Sequence, residues 1–246
     1  MSAFPFERER VLKGMACEMA SLQKFGVCSE ISEHDPRVKG ARVINSRWVC
    51  VGKGDPDKVK ARLVAMEINR GDPMEGSTPS TTAVRTALFV AALRGLEVMV
   101  ADAQTAFLHA PVAGAGGDGE PIFICPPRPV AKPGVLWELS RALYGLRRAP
   151  VFWQSHLVEV MKILGFSPTQ AEPCLFQSSS REMLIAAHVD DLLAVGSQKA
   201  INKFQEDIQK HLTVKLIGQF ESDKWLKFLG KEWKKVDSGF ACCESS

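Results

Sequence analysis

The sequence predicts an α+β fold, an antiparallel sheet backed by helices. Three observations carry that reading. Hydrophobic residues make up 46% of the 246 positions and charged residues 24%, enough apolar side chain to bury a core. From Leu96 onward the patterns run strand, helix, strand, strand, helix, strand, an order that an antiparallel sheet with two helices behind it accommodates. One apolar strand pattern, Met183 to Val195, is broken in its middle by Asp190 and Asp191, as in a hairpin with two carboxylates at its tip.

Residues 7–25 read as a helix with Val11, Leu12, Met15, Met19 and Leu22 on one face and Gly26 as its stop. Residues 27–42 mix Gly, Pro and charge and read as a connection. Val43–Val51 and Ala61–Ile68 are strand patterns, and Gly52, Gly54, Asp55 and Pro56 between them are hairpin residues. Thr78-Pro79-Ser80-Thr81 starts a helix, Val84 to Leu93 is its apolar run and Gly95 its end. Leu96 to Ala101 reads as a buried strand finishing at Asp102. Residues 111–121 have loop composition, and Ile122–Cys125 and Val135–Leu139 are short strands. Val151–Leu164 is helical and closed by Gly165. A polar helix spans about Lys199 to His211, a strand Thr213–Ile217, and Lys224–Val236, containing FLGKEW, reads as a last hairpin. The final residues carry no clear signal.

Several function classes fall away. Lys plus Arg is 31 against 28 Asp plus Glu, and a net charge of +3 is by itself no nucleic-acid signature, although a basic groove can hide within it. The opening MSAFPFERER has no apolar run, so no signal peptide is expected. Arg94, Glu97, Asp190 and Asp191 interrupt the most apolar stretches below the roughly 18 residues that a spanning helix needs, so no membrane partner is expected. The seven cysteines include no C-x-x-C pair, and Cys242 and Cys243 are adjacent. That spacing suits neither zinc nor a disulfide scaffold, and free thiols in a reducing compartment are expected.

The carboxylates carry the chemistry. On the strand order above, the end of the first strand and the tip of the middle hairpin fall on neighbouring strands, which brings Asp102 beside Asp190 and Asp191. Carboxylates among apolar residues repel one another and need a compensating cation or solvent. Three at one sheet edge suit Mg²⁺, and two such ions about 4 Å apart form a phosphoryl-transfer clamp. Taken alone, an Asp-Asp pair is more often an exposed turn and Asp102 a strand end or helix cap.

The neighbouring segments make the pattern specific. KARLVA (60–65), TPSTTAVRTALFVAA (78–92), VADAQTAFLHAPV (100–112), IFICPP (122–127), VLWELSRALYGLRRAPVFWQSHL (135–157), LGFSPTQAEPCLF (164–176), HVDDLLAVG (188–196) and FLG (228–230) occur in this order. Together they closely resemble the reverse transcriptase domain of Ty1/copia-type retrotransposons, from about residue 15 to 233. The resemblance implies a right-hand polymerase. Residues 1–95 would hold the N-terminal helix and a fingers-like region. Residues 96–236 would form the palm with a primer-grip-like hairpin, and 237–246 a tail. It implies RNA-directed DNA synthesis from deoxynucleoside triphosphates on an RNA or DNA template with a primer, with two Mg²⁺ ions or Mn²⁺ in their place.

Carried over residue by residue, Asp102, Asp190 and Asp191 are the catalytic, metal-binding carboxylates, with Asp102 and Asp190 the firmer ligands. Phe107 matches the bulky residue that excludes a sugar 2′-hydroxyl, although a core Phe reads the same way. Lys60 and Arg62 match the segment that holds the triphosphate. Tyr144 and Gly145 match nucleotide-contacting positions. Arg147, Pro150 and His188 match template- and primer-side positions, and Phe228, Leu229 and Gly230 the primer grip.

Three departures stand out. His188 occupies a position more often held by Tyr. MEINRGDPMEGSTPST replaces a longer Gly-Gln-containing stretch. The chain stops soon after the primer-grip match, without the RNase H and integrase regions of the family's polyproteins. The alternative from another class is therefore a retrotransposon remnant acting at most as a nucleic-acid- or protein-binding module. A two-metal nuclease or cyclase fits AFLHAPV and ALYGLRRAP less well. The resemblance makes cytoplasmic particles the expected location, with the nucleus left open.

Overall fold

The computed structural model describes residues 7–53, 55–67, 80–112, 120–222, 224–237 and 239–244. In chain order the elements are α1 (Arg8–Lys24), β1 (Cys28–Ser32), β2 (Val43–Lys53), β3 (Asp55–Ala65), α2 (Thr81–Arg94), β4 (Glu97–Ala103) and α3 (Ala106–His109). There follow β5 (Ile122–Cys125), β6 (Val135–Leu139), α4 (Ala149–Ile163), β7 (Ser167–Pro168), β8 (Leu175–Ser178), β9 (Met183–His188) and β10 (Asp191–Gly196). The chain finishes with α5 (Gln198–Ile208), β11 (Val214–Gln219), β12 (Leu226–Phe228), β13 (Lys231–Val236) and β14 (Gly239–Glu244). Helices and largely antiparallel sheets together make the mixed α+β architecture that the sequence predicts.

These elements form two compact units, each made of two separated stretches: residues 1–75 with 107–153, and residues 76–106 with 154–246. The first unit holds a five-stranded sheet ordered β1-β6-β5-β2-β3, in which β2 and β5 run parallel and the other pairs antiparallel. Its edge strand β3 is covered by α1. The stripe Val11, Gly14, Met15, Glu18 and Leu22 is buried there, whereas Leu12, assigned to the apolar face from sequence, is 44% exposed. Spacing of three and four residues selects the buried stripe, and Leu12 falls beside it.

The second unit holds a six-stranded sheet ordered β11-β4-β10-β9-β8-β7 and a three-stranded one, β12-β13-β14. Ser80 starts α2 by accepting the Ala83 N–H at 3.0 Å, and Gly95 ends it at φ +62°, a conformation that costs a side chain more than a glycine. Val84, Ala87, Leu88 and Ala91 of α2 pack with Val98, Val100, Leu193 and Val195 of the sheet and with Phe220, Phe228 and Trp233. Each large apolar side chain fully buried here stabilises by about 1.5–3 kcal/mol. Alternation sends Met99, Ala101, Leu192 and Ala194 to the opposite face, and they too are buried. Phe89 and Leu93, inside the apolar run of α2, are 66% and 73% exposed.

Several elements differ from the sequence reading. Within the stretch read as a connection, Cys28–Ser32 forms β1 against β6. Only Ile31 of that strand is buried, so no alternation of apolar residues announces it. β7 and β8 lengthen the six-stranded sheet from a stretch with no assigned structure. The tail supplies β14, paired with β13 from Lys231↔Glu244 to Val236↔Gly239. Helix α2, grouped from sequence with residues 1–95, packs on the carboxylate-bearing sheet, and β5 and β6 join the sheet of the first unit. Thr78, Pro79, Gly54 and most of the 111–121 loop lie outside the described residues. The seven cysteines are all free thiols. Among the described residues no helix is long and apolar enough to cross a membrane.

One ionic cluster ties α5 to the turn before β9. Asp207, 8% exposed, meets Arg181 at 3.0 Å, Lys210 at 2.9 Å and Lys203 at 3.2 Å. These partners, Lys210 first, hold its carboxyl well below the usual carboxylate range. A depressed folded-state pKa contributes stability above the unfolded value of about 3.9 that is lost as pH falls below it. Asp207→Asn is expected to lower the melting temperature at neutral pH, and the gap to wild type should close as pH is taken from about 5 to about 2. Thermal melts across that range check this, and a gap constant with pH would contradict it.

Candidate active site

The acidic residues lie in the second unit. β4 runs between β10 and β11, and the β10–β4 register sets Asp191 opposite Asp102. Lys215 of β11 faces Asp102 from the other side, and His188 of β9 faces Asp191. Residues opposite one another in antiparallel strands share a face. His188, Asp191, Asp102 and Lys215 thus form one row across four strands, at neighbour Cα distances of about 4.5–5.5 Å. It is the face whose inner positions, Val100 and Leu193, pack under α2. Lys215 escaped the sequence reading. A lysine in a strand carries no signal until the register is known.

The hairpin is displaced by one residue from its sequence assignment. Asp191 pairs with His188, so the loop consists of the two residues Val189 and Asp190, and Asp191 begins the strand. The two aspartates therefore differ: Asp190 is exposed and Asp191 half-buried. Val189 lies at φ +51°, costly for a β-branched residue, by about 1–3 kcal/mol. The Ala103 N–H donates to the Asp190 carbonyl at 2.6 Å, binding the loop to the end of β4.

Burial, followed by the charges of Asp190 and Asp102, pushes the Asp191 carboxyl up, against a lowering influence from His188. Asp190 and Asp102 thus both act on Asp191 through their charge. Carboxylate oxygens are hard donors of the kind that a divalent cation takes. Among the described residues, however, no three His, Cys, Asp or Glu side chains are gathered into a metal-holding group.

The other expected contacts of the nucleotide belong to the first unit. Lys60 and Arg62 alternate with the buried Ala61 and Leu63 on β3, so both point away from the core. The Arg62 guanidinium lies 4.9 Å from the centre of the Tyr144 ring, and Phe107 meets that ring edge-on at 5.5 Å. Phe107 is half-buried and not a sealed core residue. Glu18, buried on α1 and unnoticed in the sequence, accepts the Leu63 N–H at 3.3 Å. Burial pushes its carboxyl up, opposed by that hydrogen bond, Arg62 and Lys60.

Two residues further along β3, the Ala65 N–H donates to the Tyr144 carbonyl at 2.7 Å. The edge strand thus spends one outward N–H on Glu18 and the next on the turn at 144. Arg147 N–H donates to Glu67 at 2.7 Å. Pro150 sits in the first turn of α4, where its missing N–H costs nothing.

Phe228 is 1% exposed and belongs to the apolar cluster under α2. Leu229 and Gly230, at φ +51° and +72°, form the tight turn between β12 and β13, closed by Phe228↔Lys231. Here the chain offers its turn backbone, while the Phe228 ring is spent on the core.

Gly145 has φ +81°, and a Cβ there would stand 2.2 Å from the Ala65 carbonyl oxygen and 2.6 Å from Val64 Cγ1. Gly145→Ala is therefore expected to destabilise the protein by about 1–3 kcal/mol in urea unfolding. Unchanged stability would mean that the turn does not sit against β3.

A family model described as reverse transcriptase (RNA-dependent DNA polymerase) matches residues 34–245. The chain is 32% identical over 228 residues, 86% of its length, to the retrovirus-related Pol polyprotein from transposon TNT 1-94 of Nicotiana tabacum. It is 32% identical over 56% of its length to a putative transposon Ty5-1 protein of Saccharomyces cerevisiae, and 27% identical over 80% to the Pol polyprotein from transposon RE1 of Arabidopsis thaliana. It spans 16%, 43% and 14% of these three relatives. The matched segments include both carboxylate-bearing strands and the turn at 144–147, and on that basis the chain belongs to the reverse transcriptase family, in the form carried by copia-type retrotransposon polyproteins.

Proposed function

We propose that the chain catalyses RNA-directed DNA synthesis, adding a deoxynucleoside monophosphate to a primer 3′-hydroxyl opposite an RNA or DNA template. The observation that supports this best is the pairing of Asp191 with Asp102, with Asp190 on the adjoining loop, in a chain of the reverse transcriptase family. In this reading the six-stranded sheet is the palm and the β2–β3 hairpin belongs to the fingers.

Asp102 and Asp190 would hold Mg²⁺ or Mn²⁺, with Asp191 adding negative charge. Ions held by these carboxylates would supply Lewis-acid activation of the primer hydroxyl and charge stabilisation of the leaving oxygen. In the reaction the primer 3′-oxygen bonds to the α-phosphorus and pyrophosphate departs with the electrons of the broken P–O bond.

Lys60 and Arg62 supply positive charge to the triphosphate. The Phe107 ring lies under the sugar and leaves no room for a 2′-hydroxyl. Gly145 lets the turn sit against β3 and so sets the backbone beside Tyr144 for the nucleotide. Arg147 and Pro150 face the template, His188 lies beside the primer end, and the Leu229–Gly230 turn next to Phe228 supports the primer strand. In a longer polyprotein, RNase H and integrase regions would act with this domain.

Primer extension on poly(rA)/oligo(dT) with dTTP and Mg²⁺ tests the reading. Wild type is expected to extend the primer, and Asp190→Asn and Asp102→Asn to lose at least about a hundredfold in rate. Extension that survives Asp190→Asn would remove the carboxylates from the chemistry. No extension by folded wild type would favour a remnant that binds nucleic acid or protein. Phe107→Ala is expected to raise ribonucleotide incorporation relative to deoxyribonucleotide, read as the ratio of the two kcat/KM values. An unchanged ratio would return Phe107 to a packing role.

A further inference from the structure

We infer that Glu67 is a positioning residue for the turn at 144–147, and that its carboxylate sets the geometry in which that turn meets the incoming nucleotide. The nucleotide role rests on the polymerase reading above, whereas the latch itself stands on geometry alone.

Glu67 follows KARLVA, in the stretch that departs from the copia-type pattern. Its side chain is 15% exposed. One carboxylate oxygen accepts the Arg147 backbone N–H at 2.7 Å, and the other meets Arg42 at 3.1 Å. A single group thereby joins the end of β3 to segments 25 and 80 residues away in sequence.

The geometry needs this second attachment. The Ala65 N–H bond to the Tyr144 carbonyl fixes one point of the turn, and Gly145 sits hard against the Ala65 carbonyl. That bond anchors the Tyr144 end of the turn to β3. The Arg147–Glu67 bond fixes a second point three residues along, and with it the orientation of Tyr144 toward Arg62 and Phe107. Glu67, Arg42, Leu146 and Arg148 also line a cavity of about 850 Å³.

The two partners of Glu67 contribute unequally. Arg42 is 67% exposed, and an ion pair that wet adds little on its own. A short N–H bond to a half-buried carboxylate is among the stronger kinds, and its loss strands a backbone donor. The acceptor oxygen therefore matters more than the charge. Gln at this position keeps an acceptor for Arg147 N–H, and Ala does not.

The test uses the whole chain and three variants: Glu67→Ala, Glu67→Asp and Glu67→Gln. Hydrogen exchange of peptides covering residues 143–148 reads the latch without reference to activity. Primer extension on poly(rA)/oligo(dT) gives KM for dTTP and kcat separately. Glu67→Ala is expected to speed exchange at Arg147 about tenfold and to raise KM for dTTP by a similar factor, with kcat changed less. Glu67→Gln should stay near wild type in both. Glu67→Asp, one methylene shorter, should fall between and serves where the Ala variant fails to fold.

Unchanged exchange in the Ala and Asp variants would overturn the latch. Faster exchange with unchanged KM, or a KM raised equally in Glu67→Gln, would overturn the positioning role. Folded wild type without extension would overturn the polymerase reading, and with it the nucleotide role. The exchange comparison would then still decide the latch.

Discussion

The register between β4 and β10 decides which acidic side chains of this protein share a face. Side chains alternate across a strand, so a slip of one residue would send Asp191 to the face opposite Asp102 and exchange the apolar rows packed on the two faces. The register is held from within. Val98, Val100, Leu193 and Val195 must all meet α2, while Met99, Ala101, Leu192 and Ala194 fill the other side. Burial of these residues outweighs the cost of bringing two carboxylates together at the strand ends. The acids lie where the apolar rows stop, with the strained Val189 loop fastened beside them by the Ala103 N–H.

The first unit solves a different problem, the unpaired edge of β3. An exposed edge invites pairing with other chains. Here α1 covers part of it, Glu18 takes the Leu63 N–H, and the turn at 144 takes the Ala65 N–H. What would be a liability in a sheet becomes a mounting rail. Side chains on the outer face of β3 and the backbone of a distant turn are brought together by one strand. Lys60 and Arg62 gain their setting in this way, through backbone bonds rather than a packed pocket.

Much of the second unit was legible in the sequence. Strand order admitted an antiparallel arrangement with Asp102 next to Asp190 and Asp191, and the neighbouring segments that resemble copia-type reverse transcriptases made that arrangement specific. The Ser80 and Gly95 ends of α2 followed from local chemistry that acts within a few residues, and so did the pairing of β2 with β3, although β3 begins at Asp55, inside the 52–60 stretch read as the connection. What stayed hidden depends on partners far along the chain. β1 buries one side chain and β14 carries an unpatterned GFACCE, so neither shows a period of two. Glu67 and Glu18 act on backbone N–H groups, which leave no trace in side-chain spacing. Lys215 gains meaning only from register.

Each compact unit is stitched from two stretches, and the chain leaves each before completing it. A chain emerging from the ribosome therefore holds the first unit open until about residue 153, since β5, β6 and the turn at 144 arrive after β4 has been made. β4 in turn waits for β10 and β11, some ninety or more residues later, before either of its edges is paired. Loop closures of that length are slow to be repaid. A cut near the middle of the sequence leaves both the five-stranded and the six-stranded sheet unfinished, and only the small β12-β13-β14 sheet lies whole on one side of it. Synthesis of this protein passes through a long interval in which apolar strands lack neighbours, and its yield in a cell rests on how that interval is sheltered.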